Sequence, residues 1–225
     1  PELWHKRFGH INYEYLRQMG EIDDTGVRKG IKKPGVYGTC ERAKQTKRSF
    51  GTKSWERANE PLELLHTDVL GPIEVESLGG ARYAIGFTDD YTRWRVVYPM
   101  KHKSESLDCL KRYLKDISVL HRDSKVKTLI GLRSDNGGEY TGINFKHFCK
   151  NNGIRQDFGI PYGPQDNGVA EKSWHVLSNM ARSLRIQAGL GKGFWAEALN
   201  TAAYIWNRSR NSALGPDETP YYKMF

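Results

Sequence analysis

The sequence predicts an α/β protein: a mixed sheet with helices on both faces. Three β-patterned runs follow one another between residues 62 and 100, and helical periodicity then alternates with short β runs up to residue 208. Antiparallel strands followed by crossover helices give a mixed sheet covered on both sides. A third observation locates the chemistry. Asp135 and Glu171 stand with thirty-five residues between them, and a glycine- and proline-rich loop, 159–168, comes just before the glutamate.

A chain of 225 residues can bury a sizeable core, as one large domain or a core with a small appendage. The longest apolar runs fall far short of the roughly 20 residues a membrane span needs, so no membrane partner is expected. The N-terminus has no apolar signal-peptide core, and it opens on Pro1 instead of Met, as either a piece cut from a longer chain or a fragment processed from a polyprotein would. A formal charge of +9 favours a polyanionic partner, and its placement sharpens that: residues 1–60 hold 13 Lys and Arg against 8 Asp and Glu, so +5 of the +9 lies there. Three cysteines, Cys40, Cys109 and Cys149, cannot build a disulfide framework, so a reducing, intracellular location is expected.

In chain order, Asn12 can cap a short helix whose Ile11, Tyr15 and Met19 fall four apart, with Gly20 at its end. Residues 21–37 are a polar loop. His5, His10 and Cys40 are spaced like ligands of a small zinc module, but a closed site needs a fourth, and Tyr37 stands where a C-x2-C pair would begin. By spacing alone they read more readily as ordinary surface or packing residues. Arg42, Lys44, Lys47, Arg48, Lys53 and Arg57, with Phe50 and Trp55 among them, fit either phosphate and base contact or a solvated linker. This divides the chain into an N-terminal segment (1–50), a basic linker (51–61) and a core (62–225).

In the core, LELLHTDVL, RYAIGFTDD and RWRVVYPM read as an antiparallel meander, with a turn near Asp90 to Thr92. Residues 103–121 read as a helix with Leu107, Leu110, Leu114 and Ile117 on one face. VKTLIGL is a fourth strand running into Arg133-Ser134-Asp135. A helix over 142–152 stops at Gly153, and IRQDF is a fifth, short strand. A long helix begins near Asp166, a suitable N-cap, and buries Ala170, Trp174, Leu177, Ala181 and Leu184. Glu171, His175, Ser178 and Arg182 lie on the adjoining face. A last helix spans about 194–208, and the tail LGPDETPYYKMF reads as extended.

Three acids then share one region. Asp68 lies in the first strand, Asp135 at the end of the fourth, and Glu171 in the first turns of the long helix. Adjacent strands would bring them together, where Mg²⁺ or Mn²⁺ would offset their mutual repulsion, since hard divalent ions prefer oxygen ligands. Two such ions serve phosphoryl transfer without a side-chain nucleophile. No G-x-S-x-G or P-loop pattern is present. Asp89, Asp90, Glu139 and Asp166 are competing acids, but Asp90 better suits the hairpin turn and Asp166 the helix N-cap, and a single strand-end aspartate is commonly a turn or capping residue.

LLHTDVLGPI, FTDDYTRW, LRSDNGGEY and PQDNGVAEKSW together resemble the integrase core of copia-type LTR retrotransposons, in the DDE integrase/transposase superfamily. LWHKRFGH with TCERAKQTKRSF resembles the zinc-binding segment that precedes such cores, and FWAEALNTAAYIWNRSRNSALGPDETPYYKMF the segment that follows. The resemblance covers essentially the whole chain. It implies a ribonuclease H-like fold, a five-stranded mixed sheet with flanking helices after a small helical, zinc-finger-like segment. It implies 3′-end processing and strand transfer into double-stranded target DNA, with Asp68, Asp135 and Glu171 holding Mg²⁺ or Mn²⁺, and residues 159–168 as a mobile active-site loop. It implies His5, His10 and Cys40 as zinc ligands, weakened because Tyr37 replaces a cysteine. By their place near Glu171 on the helix, Lys172, His175 and Arg182 either contact the DNA end or form a solvated face, and Lys44, Lys47 and Arg48 are further DNA-binding candidates. The family chemistry joins two ends, so a homo-oligomer is expected, in the nucleus and in cytoplasmic virus-like particles. The alternatives are a domesticated or decayed integrase that binds nucleic acid or protein without catalysis, and a related nuclease that cuts without joining.

Overall fold

The computed structural model describes residues 2–21, 26–32, 38–43, 57–120, 128–158 and 167–225. Tyr37, the basic residues Lys44, Lys47, Arg48 and Lys53, and the loop 159–166 with Asp166 lie outside the described residues.

The N-terminal segment folds as three short helices, α1 (Glu2–Arg7), α2 (Tyr13–Met19) and α3 (Gly38–Ala43). Asn12 caps α2 as its sequence predicts, its side-chain oxygen accepting from the Glu14 N–H at 3.0 Å. Ile11, Tyr13, Leu16, Met19, Val27 and Ile31 form a small core of their own. So few side chains bury little apolar surface, and a unit of this size depends on further support.

The central sheet has five strands: β1 (Leu64–Leu70), β2 (Tyr83–Asp89), β3 (Arg95–Met100), β4 (Gly131–Ser134) and β5 (Arg155–Phe158), in the order β3-β2-β1-β4-β5. The first three form the expected antiparallel meander, while β4 and β5 run parallel to β1. Of the fourth strand's apolar run, Val126 and Lys127 lie outside the described residues, and the strand itself is Gly131–Ser134, since its ladder with β1 starts where Leu64 meets Gly131.

Period two sends alternate side chains to opposite faces. Leu65, Ile85, Phe87 and Leu132 go to one face, under α4 (Ser106–Leu120), α5 (Gly138–Thr141) and α6 (Ile143–Asn151). On α4 the deepest residues are Leu110, Tyr113 and Ile117, with Leu107 and Leu114 at the margin. Tyr113 takes the middle of the stripe because it falls three after Leu110 and four before Ile117. Ala84 and Val97 go to the other face, under α7 (Gly168–Gln187) and α8 (Trp195–Asn207). Trp174, Leu177 and Ala181 face the sheet as predicted, joined by Met180, while Leu184 is half-buried.

Two expectations are corrected. The tail is not extended throughout: α9 (Pro220–Met224) forms because Thr219 accepts the Tyr222 N–H and Pro220 opens the helix, and Met224 joins the main core. In the β2–β3 turn the capping acid is Asp89, which accepts from the Thr92 N–H and hydroxyl and from the Leu62 N–H. Asp90 instead reaches out of the turn to the Ala58 N–H, His66 and Arg93, fastening the entry to the core.

Candidate active site

The three acids predicted from the sequence come from neighbouring elements. The β1–β4 ladder pairs Leu64 with Gly131, Leu65 with Leu132 and His66 with Arg133. Continued past the last pair, that constant offset sets Asp68 level with Asp135, immediately beyond the end of β4. Asp68 shares the parity of Leu70, whose side chain packs with the α7–α8 cluster, so it faces α7. Glu171 sits in the first turn of α7.

Three tertiary hydrogen bonds fix that turn over the strands. The Asn167 amide donates to the Thr67 carbonyl (2.9 Å), Thr88 donates to the Ser173 hydroxyl (3.0 Å), and the Trp174 indole N–H donates to the Asp68 carbonyl (3.3 Å). Asn167 occupies the N-cap position expected of Asp166, and its side chain bonds to β1 instead of to the helix. The indole has room because the residue paired with Asp68 on β2 is Gly86, where a Cβ would come within 2.9 Å of the Trp174 ring. On the other side, Tyr140 of α5 meets the Thr67 hydroxyl at 3.2 Å, tying the segment after Asp135 to β1.

Asp68 is half-buried, whereas Asp135 and Glu171 are exposed. Burial pushes the Asp68 carboxyl up to about 6; its bond from the Val69 N–H opposes this, and the charges of Asp135, Glu171 and Glu139 add to it. Glu139 is therefore a fourth member of the cluster. A Cβ on Gly137 would lie 2.7 Å from a Glu139 carboxylate oxygen and 3.0 Å from one of Asp135, so both carboxylates close around that backbone, whose N–H donates to Asp135. Glu139 also pairs with Lys103 at 3.3 Å. The sequence named Glu139 only as a competing acid. Its signal was its place in LRSDNGGEY, four residues after Asp135 and one before the tyrosine that anchors the turn.

A hard divalent cation would relieve both the burial of the Asp68 carboxylate and the repulsion it feels from Asp135, Glu171 and Glu139. Asp68, Asp135 and Glu171 are set more widely than a closed ligand set. Among the described residues, the group of three or more potential ligands whose donor atoms all lie within 4.8 Å of one another is His5, His10 and Cys40. The sequence-predicted trio is thus assembled, with His5 Nε2 at 3.1 Å and His10 Nδ1 at 3.5 Å from Cys40 Sγ. Two nitrogens and a sulfur suit a borderline-soft ion such as zinc. Lys172, His175 and Arg182 lie exposed along α7, with His175 beside Asn179 at 3.4 Å.

A five-stranded mixed sheet with this order, crossover helices and acids at the ends of β1 and β4 defines a ribonuclease H-like core. Residues 58–164 match the family model described as integrase core domain. The retrovirus-related Pol polyprotein from transposon TNT 1-94 of Nicotiana tabacum is 40% identical over 209 residues, and that from transposon RE2 of Arabidopsis thaliana is 28% identical over 226. The matches cover 92% and 99% of this chain but 15% of each relative, so the chain spans a small part of their length. The fold is shared with the simian T-cell lymphotropic virus intasome, solved with the PP2A regulatory subunit B56 gamma (TM-score 0.61, 17% identity, 81% of this chain and 61% of that one). It is shared too with the HTLV-2 integrase catalytic core domain in complex with magnesium (TM-score 0.55, 16% identity, 75% of this chain and 100% of that one). Residues 58–164 thus carry an integrase core domain match, and the fold is the one seen in retroviral integrase cores.

Proposed function

We propose that this chain is the integrase of a copia-type retrotransposon and that Asp68, Asp135, Glu171 and Glu139 form its catalytic centre. The observation that carries the reading is the β1–β4 register, which sets Asp68 level with Asp135 beneath the first turn of α7 that bears Glu171. Asp68, Asp135 and Glu171 would hold Mg²⁺ or Mn²⁺, with Glu139 beside Asp135. When bound, such ions supply activation of the attacking oxygen and stabilisation of the leaving one. The reaction is transesterification: a 3′-hydroxyl oxygen bonds to a target phosphorus, the phosphorus–oxygen bond to the target 3′-oxygen breaks, and the proton released by the attacker ends on the leaving oxygen. Hydrolytic trimming of the element's 3′ ends is the same displacement with water as attacker.

The chain's own residues supply position. Asn167, Ser173 and Trp174 hold the first turn of α7 against β1 and β2, so Glu171 cannot swing away from Asp68 without breaking those bonds. Lys172, His175 and Arg182 line the exposed side of α7 and would meet DNA phosphates, as would Lys44, Lys47 and Arg48. His5, His10 and Cys40 would hold zinc. The acting form is a homo-oligomer on double-stranded DNA, because two element ends must be joined to one target.

A strand-transfer assay tests this with blunt-ended duplex DNA and Mg²⁺ or Mn²⁺. Wild-type protein is expected to give joined product and Asp135→Asn none, with DNA binding equal in both. DNA binding by the wild type with no product under either ion would overturn the reading in favour of a binding module.

A further inference from the structure

We propose that Gln187, the last residue of α7, is a positioning residue for the metal site of the N-terminal segment, so that the site is completed by the core helix that also carries Glu171. The inference rests on the reading that His5, His10 and Cys40 hold zinc. Each histidine turns one ring nitrogen towards Cys40 and uses the other elsewhere. His5 Nδ1 meets the Ile11 carbonyl at 2.9 Å. A carbonyl only accepts, so Nδ1 carries the proton and Nε2, 3.1 Å from Cys40 Sγ, presents its lone pair. His10 is turned the other way round: Nδ1 faces Cys40, and Nε2 meets Gln187 Oε1 at 2.6 Å. An oxygen acceptor there keeps the proton on Nε2 and leaves the Nδ1 lone pair for an ion. Partners of this kind set both the tautomer and the ring plane of a ligating histidine.

The two acceptors differ in origin. Ile11 belongs to the N-terminal segment itself, whereas Gln187 belongs to the core, 177 residues from His10. The backbone at His10 is shaped for this docking. Gly9 and His10 both have positive φ (58° and 61°), and a Cβ on Gly9 would come within 3.0 Å of Met180 and 3.7 Å of Ile205. The loop thus lies directly on α7 and α8, and His10 is fully buried there. His10 takes its ligating orientation in the docked arrangement, so metal binding and docking favour each other, and by linkage each strengthens the other equally. An ion in this trio would act as a clasp between segment and catalytic helix.

The test uses the full chain and zinc itself, titrated against a competing chelator. Gln187→Met keeps the side chain's length and removes the acceptor; Gln187→Glu keeps an acceptor. Gln187 is solvent-exposed, so neither change opens the core. Gln187→Met is expected to bind zinc about 10- to 100-fold more weakly, and Gln187→Glu at least as tightly as wild type. Cys40→Ala, which removes a ligand, locates the measured ion at this site by losing it. Cobalt substitution gives a second readout: the visible ligand-field bands should be saturated by wild type and Gln187→Glu at cobalt concentrations that leave Gln187→Met partly empty. Equal zinc affinity in wild type and Gln187→Met, or Gln187→Glu as weak as Gln187→Met, overturns the role of Gln187 while leaving the zinc site standing. A wild type that binds no zinc overturns both.

Discussion

Replacing Gly86 with alanine should damage both stability and catalysis from a position that touches no substrate. The added Cβ would sit 2.9 Å from Trp174 Cζ2 and 3.2 Å from Cε2. Carbon atoms rest at about 3.5–4.0 Å, so the ring must withdraw by roughly 0.6 Å or more. It has little room to do so, being 7% exposed, packed in the α7–α8 cluster and bonded to the Asp68 carbonyl. Overpacking of this kind costs about 1–3 kcal/mol, and the lower backbone entropy of alanine offsets roughly 0.5–1 kcal/mol of it. The expected net loss is about 1–2 kcal/mol in urea denaturation, with the slope unchanged. Glu171 is one turn from Trp174 and moves with it, so strand-transfer product should fall at least about tenfold, since a misplacement of about 1 Å can cost 10²-fold. A double-mutant cycle isolates the cause. Trp174→Phe shortens the ring, and Gly86→Ala should then cost less, with a coupling of about 0.5 kcal/mol or more. Additive losses, or an alanine variant with wild-type activity, would refute the claim that the contact seats the helix.

In EDTA, Asp68→Asn should be more stable than wild type at neutral pH though inactive. The native carboxyl keeps its proton up to about 6 while the unfolded one releases it near 3.8, so stability falls as pH rises through that window and the whole cost is present above it. The gap corresponds to about 3 kcal/mol, reduced to roughly 2 for a partly exposed group; equal stability of the two proteins at both pH 4 and pH 7.5 would contradict this. Asp90→Ala strands His66, Arg93 and the Ala58 N–H, and should lower the unfolding free energy by about 3 kcal/mol in chemical denaturation. Thr219→Ala removes the cap of α9 and should cost about 1 kcal/mol, seen as a lower thermal midpoint with unchanged strand transfer.

Much of this architecture is legible along the chain because it is periodic. The meander shows in alternating runs, and the face of α7 that carries Trp174 and Leu177 shows in its three–four spacing. The acids Asp68 and Asp135 are legible because each sits at or near the end of a strand, and one parallel ladder is enough to make them neighbours. Asp89 and Asp90 show where this way of reading stops. They are adjacent, identical in type and both buried, yet one caps the turn and the other bonds His66, 24 residues earlier, because only the folded ladder decides which side each faces. The tail departs from its extended pattern for a similar reason: five residues give too little pattern to announce a helix, and its stability comes from Met224 entering a core built by other elements.

The seating of Glu171 belongs with the illegible part. The bonds from Asn167, Ser173 and Trp174 to β1 and β2 join residues 85 to 106 positions apart. No periodicity marks them, and none of the three side chains has reactive chemistry of its own. Gly86 is harder still to see, since its contribution is the absence of a side chain opposite Asp68. The N-terminal site repeats the arrangement at the other end of the same helix, where Gln187 reaches His10. Helix α7 thus meets the acid cluster at its first turn and the His/His/Cys trio at its last residue. At about 1.5 Å per residue, the 16 steps from Glu171 to Gln187 set these contacts roughly 24 Å apart on one rigid element. A shift of α7 along its axis would disturb both sites together, whereas a change confined to either set of ligands would leave the helix, and the other site, in place.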